Sequence, residues 1–230
     1  MQTELQRLAG LPGDAPYGLP GSFYTLQDYF EWEKQTVLRL GWHCLGRSDE
    51  VPDVGDYYTL SLLGEPLIVT RDAGDTIQVL SNVCRHRGMP VALGHGNTKR
   101  FVCTYHAWTY GLDGELLRAA RMKNAGFEAD KCGLPKINSV VWNGFIYASL
   151  ADTPAPLPEA LQDLNALISP YEPAKYRLVH SASEIWQTNW KCLVENFMEG
   201  YHLSVVHPQT LHGYTPTGLS KKGPSGDGFT

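Results

Sequence analysis

SNVCRHRGMPVALGHGNTKRFVCTYHAW, residues 81–108, carries two Cys/His pairs, Cys84-Arg85-His86 and Cys103-Thr104-Tyr105-His106. Sixteen residues separate the pairs, so each is a short loop able to close on one metal centre from opposite sides. The rest of the chain reads as wiring to or from that centre.

Outward from this stretch, residues 42–150 break into short β-rich runs: HCLGR, DYYTLSLL, EPLIVTR, DTIQVL, RFVCTY, AWTYGL, INSVV and GFIYASL. Turn signals between them predict an antiparallel, sandwich-like or barrel-like β domain. Asp113-Gly114 is a hairpin signal that places the second pair just ahead of a hairpin. Upstream, residues 1–41 form a helical segment: Thr25 with Asp28 three residues on predicts a capped start, and Leu26, Tyr29, Phe30, Val37 and Leu38 keep roughly helical spacing to Gly41. At Ala151 the composition shifts to ADTPAPLPEA, a semi-rigid linker and a domain boundary. Within 151–230, EALQDLNALI predicts a helix and YRLVHSASEIWQT a strand. NWKCLVENFMEGYH predicts a second helix with Trp190, Leu193, Val194 and Phe197 on its apolar side. The expected fold class is a mainly β domain preceded by a helix and followed by the start of an α+β domain.

Composition narrows the function. The chain has 230 residues, 43% hydrophobic and 19% charged, with a formal charge of −5, which argues against disorder and gives no global basic field for nucleic acid. No apolar run approaches membrane length and the N-terminus lacks a leader pattern, so a cytoplasmic location is expected. Five cysteines, two of them tied to histidines, read as metal ligands plus leftover thiols; Cys44, Cys132 and Cys192 are expected to be small buried residues. His43, His95, His180 and His212 have no partner at ligand spacing, and Trp32, Trp142, Trp186 and Trp190 read as core aromatics. No phosphate-binding or dinucleotide-binding glycine loop is present.

Two thiolates with two imidazoles fit either a structural Cys₂His₂ zinc site or a Rieske [2Fe–2S] cluster. The Cys-His, Cys-His order lets both thiolates hold one iron and both imidazoles the other, which favours the cluster. CRHRG followed by C-x-Y-H-x-W-x-Y-x-x-D-G-x-L resembles the Rieske domain of the large (α) subunit of Rieske non-haem iron oxygenases. The resemblance implies Cys84, His86, Cys103 and His106 as cluster ligands. Arg85, Arg87 and Trp108 either pack the loops or serve the cluster and its redox partner.

A second constellation lies downstream. On a continuous helix Glu195, Glu199 and His202 share one face, whereas His207, ahead of Pro208, needs the helix to end or bend before it. Two converging histidines and a carboxylate make the facial triad of non-haem Fe(II) oxygenases. The family resemblance extends here, with Glu199, His202 and His207 matching its acidic residue and two iron histidines. It implies that Glu199 is a bridging residue in electron and proton transfer, not a ligand, and that Asn196 lies near the iron. Glu in place of the family's usual Asp points toward the members acting on quaternary ammonium compounds; Glu195 reads as a structural carboxylate. The third, carboxylate ligand is not identified: Asp227, the one acidic residue past His207, sits in a glycine-rich tail, and the expectation is an N-terminal portion of a longer subunit.

The implied function is a terminal oxygenase with a [2Fe–2S] cluster and a mononuclear Fe(II). It would use O₂ and electrons from a separate reductase or ferredoxin to hydroxylate or oxidatively demethylate a small aromatic or quaternary ammonium substrate, as a homotrimer. The rival readings are a Rieske-type electron-transfer protein without its own oxygenase chemistry, and a zinc-stabilised binding module.

Overall fold

The computed structural model describes residues 2–10, 18–122 and 126–219. The chain divides into two units, 36–181 and 1–35 with 182–230. Three short helices open it: α1 (Gln2–Ala9), α2 (Ser22–Thr25) and α3 (Gln27–Glu33). The single helix expected from Thr25 to Gly41 is thus broken. Thr25 closes α2 and its hydroxyl donates back to the Gly21 carbonyl at 3.1 Å, so it caps nothing ahead. Leu26 is extended (φ −88°, ψ 127°), and beyond α3 residues Lys34–Leu38 widen into a π-helical turn.

The unit 36–181 is the antiparallel β body that the runs predict. Its strands are β1 (His43–Arg47), β2 (Asp56–Leu62), β3 (Glu65–Arg71), β4 (Ile77–Ser81), β5 (His95–Asn97), β6 (Phe101–Val102), β7 (Thr109–Tyr110), β8 (Leu116–Arg118), β9 (Asn138–Trp142) and β10 (Phe145–Ser149). They form three sheets, ordered β1-β10-β9, β4-β3-β2-β5 and β6-β7-β8. β3 is the centre: Leu67, Ile68, Val69 and Thr70 are all within 1% of complete burial, so both of its faces are covered. One face joins Val51, Val79, Ile146 and Ala148; the other joins Leu80, Phe101, Trp108, Tyr110 and Leu134. The second cluster includes Cys84 and Cys103, so the core and the candidate centre are continuous. Asn143-Gly144 turns β9 into β10 with both residues at positive φ (50° and 81°), the conformation a two-residue hairpin favours.

After β10 the chain forms α4 (Leu157–Ala160) and α5 (Gln162–Ile168). The strand expected at YRLVHSASEIWQT runs extended without a ladder partner among the described residues, leaving Val179 and Ile185 at least 90% exposed. The Leu178 amide donates instead to Asp49 Oδ2 at 2.9 Å.

In the other unit, α6 (Trp190–Phe197) is capped by Asn189, whose side chain accepts from the Lys191 amide, and α7 (Leu203–Val206) follows. Of the four residues expected on the apolar side of α6, Trp190 and Leu193 are partly buried but Val194 and Phe197 are exposed, while Lys191 is buried. Other expectations also change. Cys44 and Cys192 are exposed, and Trp186 is half exposed; the fully buried tryptophan is Trp108.

Candidate metal centres

The two Cys/His loops have the same backbone. In the first, the Cys84 amide donates to the Met89 carbonyl (2.8 Å) and the Gly88 amide to the Cys84 carbonyl (2.9 Å). In the second, the Cys103 amide donates to Trp108 (2.8 Å) and the Ala107 amide to Cys103 (2.9 Å). The fourth residue after each cysteine is left-handed: Gly88 at φ 74° and Ala107 at φ 56°. A side chain there costs on the order of 1 kcal/mol, strain that the surrounding bonds must hold.

This geometry sorts the donors. Both thiols are 3% exposed, whereas His106 is exposed and His86 partly so, their ring centroids 4.6 Å apart and at 71°. Burial alone would raise the Cys84 thiol's pKa. Hydrogen bonds from the Tyr110 hydroxyl, the His86 amide, the Cys103 thiol and the Arg87 amide carry it below its ordinary value instead. Burial, with His106 and Arg87 nearby, also lowers the His86 pKa and favours the neutral imidazole that a metal requires.

Supporting residues fix the loops. Asn82, buried, accepts the Val91 and Ala92 amides through one oxygen and donates to the Ala92 carbonyl, holding the chain beyond the first loop. Trp108 stacks on His86 at 5.0 Å and 7°. Arg85 and Arg87 turn their side chains outward. Sequence reasoning gave no role to Tyr110 or Asn82; Tyr110 is the last aromatic of the C-x-Y-H-x-W-x-Y pattern, and that position was its only signal.

The arrangement fits a two-iron cluster. Two thiols on the buried side and two imidazoles on the outer side suit a group that takes two protein ligands per iron. The Trp108 indole N–H, the one buried side-chain polar atom without a partner among the described residues, leaves a donor over for an inorganic acceptor.

The second constellation is built from turns. α6 ends at Phe197, so Glu195, Glu199 and His202 do not share a helix face as expected. Gly200 disfavours continuation, and the Glu199 carboxylate captures the Tyr201 and His202 amides that a longer helix would have used. Glu199 also bonds His202 Nδ1, which leaves Nε2 as the free ring nitrogen. His202 begins α7 and His207 ends it, at φ −118° and ψ 45°, where Pro208 requires the helix to stop. Their ring centroids lie 5.5 Å apart at 64°. Asn196 is exposed on α6, and Glu195 accepts the Tyr24 hydroxyl at 2.7 Å, a structural role. That bond is the main cause holding the Tyr24 hydroxyl's pKa up at about 12. His212, expected to be structural, pairs with the Ser204 hydroxyl at 2.8 Å. Asp227 lies outside the described residues.

Two family models match this chain. Residues 41–138 match the Rieske [2Fe-2S] domain, and residues 171–229 match the catalytic domain of ring-hydroxylating α subunits. The chain is 34% identical over 197 residues to the glycine betaine monooxygenase oxygenase subunit of Chromohalobacter salexigens, covering 85% of this chain and 44% of that one. It is 33% identical over 194 residues to the carnitine monooxygenase oxygenase subunit of Escherichia coli, covering 83% and 52%. A solved quaternary ammonium Rieske monooxygenase in complex with γ-butyrobetaine superposes with a TM-score of 0.77 at 28% identity, over 83% of this chain and 56% of that one. Naphthalene 1,2-dioxygenase from a Rhodococcus species superposes at 0.78 and 27%, over 92% and 50%. The chain therefore spans about half the length of the curated relatives it matches. A Rieske domain implies a [2Fe–2S] cluster, and the α-subunit family uses a mononuclear iron. With both domain types in sequence, two buried thiols, two imidazoles nearer the surface and a histidine pair beyond, the chain belongs to the Rieske oxygenase α-subunit family.

Proposed function

We propose that this chain supplies the electron-storing centre and the first iron ligands of a terminal oxygenase acting on a small quaternary ammonium compound. Cys84 and Cys103 hold one iron of the cluster, His86 and His106 the other. His202 and His207 hold the mononuclear iron, whose third ligand is unassigned. The cluster domain spans 42–150, and the catalytic portion begins within 151–230. When bound, the cluster supplies single electrons at a potential set by its neutral imidazole ligands, and the mononuclear iron supplies O₂ activation.

The chain's own residues do the rest. Buried Cys84 and Cys103 keep the sulfur side dry, while His106 presents the outer edge to solvent or a partner. Glu199 fixes the His202 ring through Nδ1 and places a carboxylate beside it that can pass a proton. The observation that carries this reading is the presence in one chain of the paired loops and the Glu199–His202–His207 group. The second site separates it from a Rieske electron-transfer protein, which needs no such group, and the Cys-His, Cys-His order favours the cluster over a zinc module. The relatives' glycine betaine and carnitine substrates, with Glu at 199, support the substrate class. A separate reductase or ferredoxin in the cytoplasm and a ring-shaped homotrimer complete the reading.

Iron and acid-labile sulfide per chain test it in the whole natural gene product. About three irons to two sulfides are expected, falling to about two and two in His202→Ala. A colourless, zinc-loaded protein, or an iron count that His202→Ala leaves unchanged, overturns it. Oxygen uptake with a reductase, stimulated by quaternary ammonium compounds and not by simple aromatics, tests the substrate class.

A further inference from the structure

Helix α6 docks against residues 24–33 in an unusual way for an amphipathic segment. Its exposed side carries Val194 and Phe197, the latter 77% exposed, while its one buried residue is Lys191. The Lys191 ammonium donates to both oxygens of Glu33, at 2.7 and 2.8 Å, and both side chains are under 10% exposed. The Trp190 indole donates to Glu33 Oε2 at 3.0 Å. The ammonium also lies over the Tyr24 and Trp190 rings, 5.2 and 5.4 Å from their centroids. One turn on, on the same face, Glu195 accepts the Tyr24 hydroxyl; at the start of the helix Asn189 donates to the Tyr24 carbonyl at 3.2 Å.

Hydrophobic contacts tolerate sliding and rotation of a helix, whereas a two-point carboxylate–ammonium pair with a third donor does not. A buried ion pair is also poor value in stability alone, since apolar residues of similar volume often do as well or better. What it adds is a defined rotation. Turning α6 by one residue would carry Lys191 away from Glu33 and leave a buried carboxylate without its cation. Only Met198 separates the end of α6 from Glu199, so the rotation of α6 sets where the Glu199 carboxylate and the His202 turn begin.

We propose that Glu33 and Lys191 are positioning residues for the mononuclear iron site, a rotational key that orients the α6 end so that Glu199 meets His202. This rests on the reading of His202 and His207 as iron ligands. The key is one that the sequence hides, since its partners lie 158 residues apart.

The test uses the whole gene product and reads Fe(II) affinity at the mononuclear site by titration, with sulfide content and the visible cluster spectrum as internal references. Glu33→Asp keeps the charge but shortens the reach. It is expected to weaken Fe(II) binding about tenfold with cluster content unchanged, in the range that loss of an outer-shell partner produces. The double variant Glu33→Leu/Lys191→Met is expected to keep or raise the thermal midpoint yet show the same loss, and the charge swap Glu33→Lys/Lys191→Glu to recover part of it. Wild-type Fe(II) affinity in Glu33→Asp, or in a folded double variant, overturns the proposal. His202→Ala is the control: if it retains the third iron, the iron-site reading has failed and not the key.

Discussion

The Tyr110 hydroxyl lies 3.3 Å from Cys84 Sγ and accepts the Arg85 amide at 3.0 Å, so with Cys84 as a metal-bound thiolate the hydroxyl is the group left to donate to the sulfur. Hydrogen bonds to cluster sulfurs stabilise the reduced, more negative state and raise the potential. Tyr110→Phe keeps the buried ring and removes that proton. A hydrogen bond worth about 1 kcal/mol more in the reduced state corresponds to a fall of about 40 mV for one electron. A redox titration of the purified protein should show this with the spectrum little changed, and an unmoved midpoint would mean that the proton points elsewhere.

Asp72 gives a pH dependence away from the metal sites. Burial opposes its charge, but its carboxylate accepts from the Thr76 amide (2.9 Å), the Gln78 side chain (2.7 Å) and the Gly74 amide (2.9 Å), and the net effect holds its pKa below the usual carboxylate value. With a depressed folded pKa, the stabilisation is present in full above the unfolded value of about 3.9 and is lost as pH falls through the folded one. Asp72→Asn should cost about 1–3 kcal/mol at pH 7. In denaturant melts at decreasing pH, the gap between variant and wild type should close below about pH 4. A gap that stayed constant into acid would exclude the ionised carboxylate as its source.

The hairpin at Gly144 is held on two sides. Its φ of 81° suits glycine, and a Cβ added there would meet Arg47 Nη2 at 2.9 Å and the Ala174 backbone at 3.1 Å. Arg47 cannot yield easily, because it donates to the Tyr176 carbonyl at 2.6 Å and pairs with Asp49 at 2.7 Å. Gly144→Ala is therefore expected to destabilise the β unit by about 1–3 kcal/mol, read from its urea midpoint. A change under about 0.5 kcal/mol, the scale of ordinary surface substitutions, would show that Arg47 and residues 173–176 move aside freely.

The β body and the first site were legible in the sequence because their signals are local. Short β-rich runs between turn signals mark β1–β4 and β9–β10, and each Cys/His pair folds within six residues, its loop closed by bonds such as Cys84 to Met89. The downstream site was legible only in its residues. Glu199, His202 and His207 were found by spacing, but the helix drawn through them ignored that Glu199 can take the next turn's amides itself. Helix α6 was misread in part for a different reason: its pattern marks Trp190, Leu193, Val194 and Phe197 as the apolar side, of which only the first two are partly covered, and only the distant Glu33 explains why Lys191 is buried. The strand expected at 176–188 has the right residues, but strand formation depends on a neighbour that no local pattern specifies.

The Glu199 carboxylate separates two effects that a simple deletion would merge. It fixes the His202 ring through Nδ1 and it closes the turn through the Tyr201 and His202 amides, so its loss frees the imidazole and loosens the backbone that carries it. Glu199→Gln removes the charge and keeps one acceptor oxygen, enough for the ring N–H or for the two amides but not for both, since these use different oxygens of the carboxylate. Glu199→Ala removes the charge and both acceptors. Outer-shell partners of metal-bound histidines are worth about 10–100-fold in affinity, so Fe(II) binding should weaken in the order wild type, Gln, Ala, with the full loss only in Ala. Sulfide content and cluster spectrum should stay constant, because Cys84, His86, Cys103 and His106 lie in a separate unit of the chain. If Gln and Ala bind Fe(II) equally badly, the charge and not the geometry of Glu199 holds the site. If both bind as wild type, Glu199 serves neither.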